Sequence, residues 1–242
     1  MLKRIFIIIS FAISIVESLA SAGVVYGGSP SVEESTVKGS VDKRSAEKSS
    51  AGKHLSAKIP SSGTMDFKIP PGNVFIEGVK SDIFRAELTA TCPKNNLKCT
   101  YYIDNLALTI NKSGEHYVVS TNTAYKKNNY NAKLEFHYFI PENSATNIDL
   151  SAGNLHIKNV TSCLGVTLAA GNINIVSDKS LVSTVELEAA AGNTQISANN
   201  AGNMINNSRT NLVGSKSNWR NGTGSCDLRA KVKAGNVEVN LI

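Results

Sequence analysis

The sequence predicts an all-β protein: a β-solenoid, or parallel-β-helix-like stack of two-stranded coils, with some longer or antiparallel strands in its middle. Three observations predict it. A short phrase recurs five times, as Pro71-Gly72-Asn73-Val74, Ala152-Gly153-Asn154-Leu155, Ala170-Gly171-Asn172-Ile173, Ala191-Gly192-Asn193-Thr194 and Ala234-Gly235-Asn236-Val237. Period-two alternation flanks every copy. No segment carries a convincing helical stripe, so the mature chain is expected to be nearly all β.

The alternation is read by counting from each glycine. Five and three residues before it stand Phe67/Ile69, Ile148/Leu150, Val166/Leu168, Leu187/Ala189 and Ala230/Val232; two and four after it stand Val74/Ile76, Leu155/Ile157, Ile173/Ile175, Thr194/Ile196 and Val237/Val239. Nineteen of these twenty are apolar, Thr194 being the exception. The interleaved positions are Lys68, Phe75, Asp149, His156, Thr167, Asn174, Glu188, Gln195, Lys231 and Glu238, nine of the ten polar. That is the signature of strands with one buried face. The two inward sets are an odd number of residues apart, so the pleat changes phase at the phrase, as at a corner or bulge between two strands. Glycine permits the positive φ such a corner needs.

Gly153, Gly171 and Gly192 are 18 and 21 residues apart, a period that suits stacked two-stranded coils. With strands about 4.8 Å apart, the repeated asparagines either form a ladder of side-chain hydrogen bonds or simply tolerate the corner conformation. The sites at Gly202 and Gly214 lack the apolar offsets. Residues 197–225 therefore read as an excursion that returns to the stack at Cys226, carrying the single Trp219, for which packing within the loop and contact with a partner are both open.

The chain before the repeats reads as address and tether. Lys3 and Arg4 precede an apolar run from Ile5 to Val16, and Ala20-Ser21-Ala22 offers small residues for cleavage after Ala20 or Ala22. Residues 1–22 are expected to be a secretory signal peptide, the run being short for a membrane span. Residues 23–58 are rich in Ser, Lys, Glu and Gly and are expected to be a disordered tether. Of the net charge of +6, the signal segment carries +1 and the tether +2, leaving +3 on residues 59–242, the expected solenoid domain. So mild an excess suits ordinary solubility or an anionic surface, and no dense basic patch suggests nucleic acid. Between the first and second phrases, Ile83 to Thr91, Leu106 to Ile110, Tyr117 to Thr121 and Leu134 to Ile140 read as strands, with turns at Asn111-Lys112-Ser113-Gly114 and Lys126 to Asn131.

Four cysteines in an exported chain suggest two disulfides. Cys92 and Cys99 flank a turn-like hexapeptide, Pro93 to Lys98, and read as a bridge closing a hairpin. Cys163 and Cys226 lie eight and nine residues before Gly171 and Gly235, in similar places in their coils. The coil of Gly192 is expected to lie between them, so their bridge needs the chain to bend at the excursion. No CxxC pair or close histidine suggests zinc.

Phe139-Ile140-Pro141-Glu142, the run Ile148 to Ile157 through Gly153-Asn154, its counterpart Val166 to Ile175, the closing Val232 to Val239 and the opening Ile69 to Val79 resemble the bacterial "putative adhesin" family, over roughly residues 59 to 242. The resemblance implies a β-solenoid domain of unknown function and no catalytic residues. Asparagine follows each glycine where many family members are expected to have aspartate, which weakens any case for calcium at the corners.

The residues carry no Ser-His-Asp or Cys-His arrangement; His54, His116, His137 and His156 are scattered. Asp149 and Glu188 share one outward offset two coils apart, and stacked outward carboxylates usually form a solvated face. The expectation is an exported, non-enzymatic β-solenoid serving as a surface or envelope module for binding, adhesion or structure, in the periplasm, on the cell surface or in the medium. The alternative is a carbohydrate-active β-helix enzyme, a lyase or hydrolase, which needs a carboxylate cluster in a groove. No catalytic residue, cofactor or metal ligand is assigned. The partner is left open among glycan, envelope and host-surface ligands.

Overall fold

A computed structural model describes residues 33–37, 52–60, 63–122, 130–198, 205–210, 214–220 and 224–242. The expected signal peptide and most of the expected tether lie outside them. In chain order the elements are β1 (Glu33–Val37), β2 (Gly52–Pro60), β3 (Thr64–Ile69), β4 (Asn73–Val79), β5 (Ile83–Thr91), α1 (Leu97–Asp104), β6 (Leu108–Ser113), β7 (His116–Thr121) and β8 (Lys133–Pro141). They continue with β9 (Thr146–Lys158), β10 (Leu164–Ser177), β11 (Val182–Ala191), β12 (Thr194–Ala198), β13 (Ile205–Thr210), β14 (Gly214–Arg220) and β15 (Cys226–Leu241).

Among the described residues all the strands join one mixed sheet with two limbs. Along the first limb the order is β1-β6-β7-β3-β9-β10-β15-β11-β14-β13. Along the second it is β2-β5-β8-β4-β9-β10-β15-β12. The limbs meet at the Gly-Asn phrases, because β9, β10 and β15 each run through the phrase and belong to both. The residues of β9 before the phrase pair with β3, and those after it pair with β4. Pairing is parallel from β7 to β11 and from β8 to β12, and antiparallel at the outer strands.

The offsets counted from the glycines mark the core. All nineteen apolar inward residues are buried, and they join one cluster. Each such Val, Leu or Ile contributes roughly 1.5–3 kcal/mol relative to exposure. Thr194, the polar exception, is half-buried, and its hydroxyl lies 2.7 Å from that of Ser217 on β14. At the opposite end the core is aromatic: Phe67 packs on Tyr138 and Phe84, with ring centroids 4.8 and 5.9 Å apart.

Several expectations are corrected. β15 lies between β10 and β11, with Gly171 opposite Gly235 and Ala234 opposite Ala191, so the phrase of Gly192 follows that of Gly235 in space. No bend is therefore needed to join Cys163 to Cys226. Their strands are neighbours, with Leu164 opposite Leu228, and the disulfide spans Cα atoms 4.6 Å apart. The boundary at residue 58 moves too: β2 pairs with β5, and Leu55 and Ala57 are buried, so residues 52–58 belong to the sheet and not to the expected tether. Backbone pairing of β1 with β6 places a further strand in the segment read as tether.

The hexapeptide after Cys92 leads into α1 rather than a hairpin. Asn96 caps the helix, its Oδ1 accepting from the Cys99 N–H at 3.0 Å, and Cys99, Tyr102 and Ile103 are buried. The Cys92–Cys99 bridge, with Cα atoms 5.7 Å apart, ties the end of β5 to this first turn. The turn read at Asn111 to Gly114 begins three residues later: Asn111 to Ser113 belong to β6, and Gly114 and Glu115 make the bend to β7. Residues 123–129 of the second expected turn lie outside the described residues. The excursion includes an antiparallel hairpin, β13 and β14, laid against β11. Its Ser215, Ser217 and Trp219 face inward, and Trp219 is only 1% exposed, so contact with a partner is not its role in this fold.

Candidate functional site

The repeated glycines build the corner. Gly153, Gly171, Gly192 and Gly235 all have φ between +129° and +139°. A Cβ on Gly153 would strike the carbonyl oxygen of Gly72, one on Gly171 that of Gly153, one on Gly235 that of Gly171, and one on Gly192 that of Gly235. Conformation and close backbone approach both demand glycine.

The asparagines form a ladder along this corner. The Asn154 amide donates to Asn73 Oδ1 at 3.2 Å, Asn172 to Asn154 at 3.2 Å, and Asn236 to Asn172 at 3.1 Å. Asn193 closes the series, its backbone N–H donating to Asn236 Oδ1 at 3.1 Å and its side chain reaching the same oxygen at 3.5 Å. The corner amides bond one another, so these glycine and asparagine positions hold the corner together.

On the second limb, register aligns Glu87, His137, Phe75, His156, Asn174 and Glu238 in one outward row. The Phe75 ring lies between two imidazoles, 4.8 Å from His137 at 21° and 5.2 Å from His156 at 11°. His137 also meets Glu135 at 2.8 Å. In the next row Arg85 sits 3.9 Å over the Phe139 ring, and Lys158 pairs with Glu77 at 3.2 Å. A trough of about 370 Å³ lies between the rows, walled by Phe75, His137 and His156 on one side and Phe139 and Lys158 on the other. The stack was not singled out from sequence. Its signal was Phe75, the one apolar residue among the ten interleaved positions.

On the first limb the outward row is Lys68, Asp149, Thr167, Lys231, Glu188 and Lys216. Asp149 and Glu188 are three strand steps apart, not two, because β15 is inserted; that is about 14 Å. Hydrogen bonding to Lys216, 3.3 Å away, holds the Glu188 carboxyl below its ordinary 4.5, with Lys231 at 3.6 Å assisting against slight desolvation. The adjacent row is Asp66, Asn147, Gly165, Arg229 and Glu186. Asp66 pairs with His116 at 3.0 Å and accepts from Asn147 Nδ2 at 2.9 Å. Arg229 is held by Glu186 at 3.3 Å and Asp227 at 3.2 Å. A second trough of about 330 Å³ opens over Gly165.

The structure brings two of the four histidines together, His137 and His156 on either side of Phe75, and leaves two apart: His54 meets the Thr89 hydroxyl on the β2–β5 pair, and His116 meets Asp66. Among the described residues no three His, Cys, Asp or Glu side chains converge as metal ligands, and no helix is long and apolar enough to cross a membrane.

No protein-family model matches the chain, and no curated protein matches it. The fold is similar to the crystal structure of a "putative cell adhesion protein" from Clostridium sporogenes, with a TM-score of 0.50, 11% identity, and coverage of 79% of this chain and 100% of that one. A "putative adhesin" from Bacteroides fragilis aligns with a TM-score of 0.20 and 10% identity, over 77% of this chain and 97% of that one, which is too weak to argue from. At 11% identity the first likeness is one of fold alone.

Proposed function

We propose that the chain is an exported, non-enzymatic module of the adhesion type, a β-solenoid whose outward rows meet a partner at a cell surface or envelope. One observation carries the reading: the outward side chains align strand by strand into continuous, solvent-facing rows on both limbs. Repeats that bury one face against their neighbours present such surfaces on the other, and binding is their common use. The solenoid reading is supported by phrases 18 residues apart that lie directly beside one another in parallel register. Export is supported by two disulfides and by the signal-like opening of the sequence. The name of the Clostridium fold neighbour points to the same class of role.

The rival enzyme needs two carboxylates flanking a scissile bond, about 5–9.5 Å apart in glycosidases. Asp149 and Glu188 exceed that spacing, and Glu188 is occupied by two lysines. The test is fractionation of producing cells followed by a surface-binding screen with the mature chain. Recovery outside the cytoplasm and saturable binding to cells or envelope material are expected. Cytoplasmic retention, failure to bind any surface, or release of new reducing or unsaturated ends from polysaccharides would overturn the proposal.

A further inference from the structure

The geometry points to the trough over Gly165 as a saccharide-binding site, and to an acidic glycan, with anionic groups set between stretches of neutral hydroxyls, as its ligand. This rests on the binding-module reading above.

Gly165 is the anomaly that locates the site. It lies in the regular part of β10 with no positive φ, so neither turn nor corner calls for glycine. Its row-mates Asp66, Asn147, Arg229 and Glu186 are all large and polar. A Cβ on Gly165 would meet only the tip of the Asn147 side chain, 2.7 Å from Oδ1, and no backbone. Packing therefore does not require the glycine, and a glycine inside a strand weakens it. What its absent side chain provides is the floor of the trough; close approach of a ligand is a recurring reason for glycine within a strand.

The walls are suited to a sugar chain. Asn147 Oδ1 faces the floor, while its Nδ2 is fixed on Asp66. Asp149 and Thr167 are exposed beside it, and among the described residues their side chains form no hydrogen bond or ion pair within the protein. A carboxylate can accept from two sugar hydroxyls, and the threonine hydroxyl both donates and accepts. This row continues to Glu188 and Lys216 outside the trough; its part over the trough runs from Lys68 on β3 to Lys231 on β15, three strand steps or about 14 Å apart. That part thus reads cation, carboxylate, hydroxyl, cation. Lys231 also meets Glu188 at 3.6 Å, whereas Lys68 has no ion pair among the described residues, so a neutral glycan would leave Lys68 unused, and a chain with an anion on every unit would be repelled at Asp149. In the other trough both faces of Phe75 are covered by imidazoles, so that ring has no free face for a sugar.

The test uses the mature protein with both disulfides and titrates two probes by calorimetry. One is a hyaluronan oligosaccharide, with a carboxylate on every second sugar; the other is an uncharged chitin oligosaccharide of equal length. The hyaluronan probe is expected to bind at least about tenfold more tightly. Gly165→Val, which fills the floor with a good strand former, should abolish that binding while the circular dichroism and melting temperature are retained; Gly165→Ala should weaken it less. Lys68→Ala and Lys231→Ala should each weaken it and reduce its salt dependence, whereas Phe75→Ala should leave it unchanged. Equal affinity for both probes, or full binding by folded Gly165→Val, overturns the assignment. If the protein adheres to surfaces but binds neither saccharide, the trough assignment falls and the binding-module reading stands; if it binds neither surfaces nor saccharides, both fall.

Discussion

Cys163 is bonded to Cys226, 63 residues further along the chain, because the strand that Cys226 opens lies directly beside the strand that follows Cys163. The bond closes a long loop, whereas Cys92–Cys99 closes one of seven residues. In the chain-entropy account, a loop of 63 is worth about 4 kcal/mol and one of seven about 2 kcal/mol. Replacing Cys163 and Cys226 together by serine is therefore expected to lower the denaturant midpoint about twice as far as replacing Cys92 and Cys99. Urea titrations of the two double variants measure the ratio.

Two glycines with positive φ should respond very differently to alanine. Gly171 has φ +133° and a neighbouring carbonyl where the methyl would go; Gly114 has φ +63° and open space. Gly114→Ala bears only the left-handed conformational cost, about 1 kcal/mol. Gly171→Ala adds a backbone clash, and a loss of about 3 kcal/mol or more is expected. Thermal unfolding of both variants checks the contrast, and similar losses would show that the corner yields freely.

The asparagine ladder makes Asn172 both donor and acceptor. Asn172→Asp retains the acceptor facing Asn236 but cannot, when ionised, donate to Asn154. A loss of about 1 kcal/mol at neutral pH is expected. The introduced carboxyl should titrate above a free aspartate, since only its protonated form can donate. The penalty should therefore shrink as pH falls through that value and grow as pH rises. Melting temperatures of variant and parent between acid and neutral pH would show convergence at the acid end.

Glu188 gives a pH dependence of opposite sign. Its folded carboxyl is held below 4.5, chiefly by the hydrogen bond from Lys216. A depressed carboxylate contributes stability above its unfolded value, and the contribution disappears as pH falls through the folded one. Both partners are substantially exposed, so the pair is worth less than about 1 kcal/mol. Lys216→Ala should return the Glu188 carboxyl toward 4.5, and its small destabilisation should vanish in acid. Carboxyl NMR titration of Glu188 in the two proteins measures the shift directly.

Much of the fold was legible because a two-residue period leaves no ambiguity about which side chains face inward. The apolar offsets around the glycines are buried, and the run Ile83 to Thr91 is β5 to the residue. The order of the strands was not legible. Units with near-identical inward chemistry and identical corner glycines can pair with one another in many orders, so sequence order was a poor guide to where β15 goes. α1 is eight residues long with no sustained stripe, and Asn96 before it was its clearest mark. β2 was hidden by a Ser- and Lys-rich setting, although Leu55, Ala57 and Ile59 alternate as a strand should.

The candidate sites follow the same division. Phe75 stood out as an apolar residue at a polar position, yet its stacking partners come from β8 and β9, a pairing that only register reveals. Gly165 looked like any glycine in a strand. It becomes conspicuous only beside Asn147 and Arg229, its neighbours in space, 18 and 64 residues away in sequence.

The place of β15 also sets a schedule. It is the bridge between β10 and β11, yet the chain reaches it after both. Assembly cannot proceed unit by unit in the order of synthesis: until residues 226 to 241 arrive, β10 presents a bare edge and β11 with β12 has nothing to join on that side. The sheet is finished from within, by a late wedge, so non-local closure governs the pace of folding. A chain stopped before residue 226 would carry an open, aggregation-prone seam through its middle rather than a slightly shortened end.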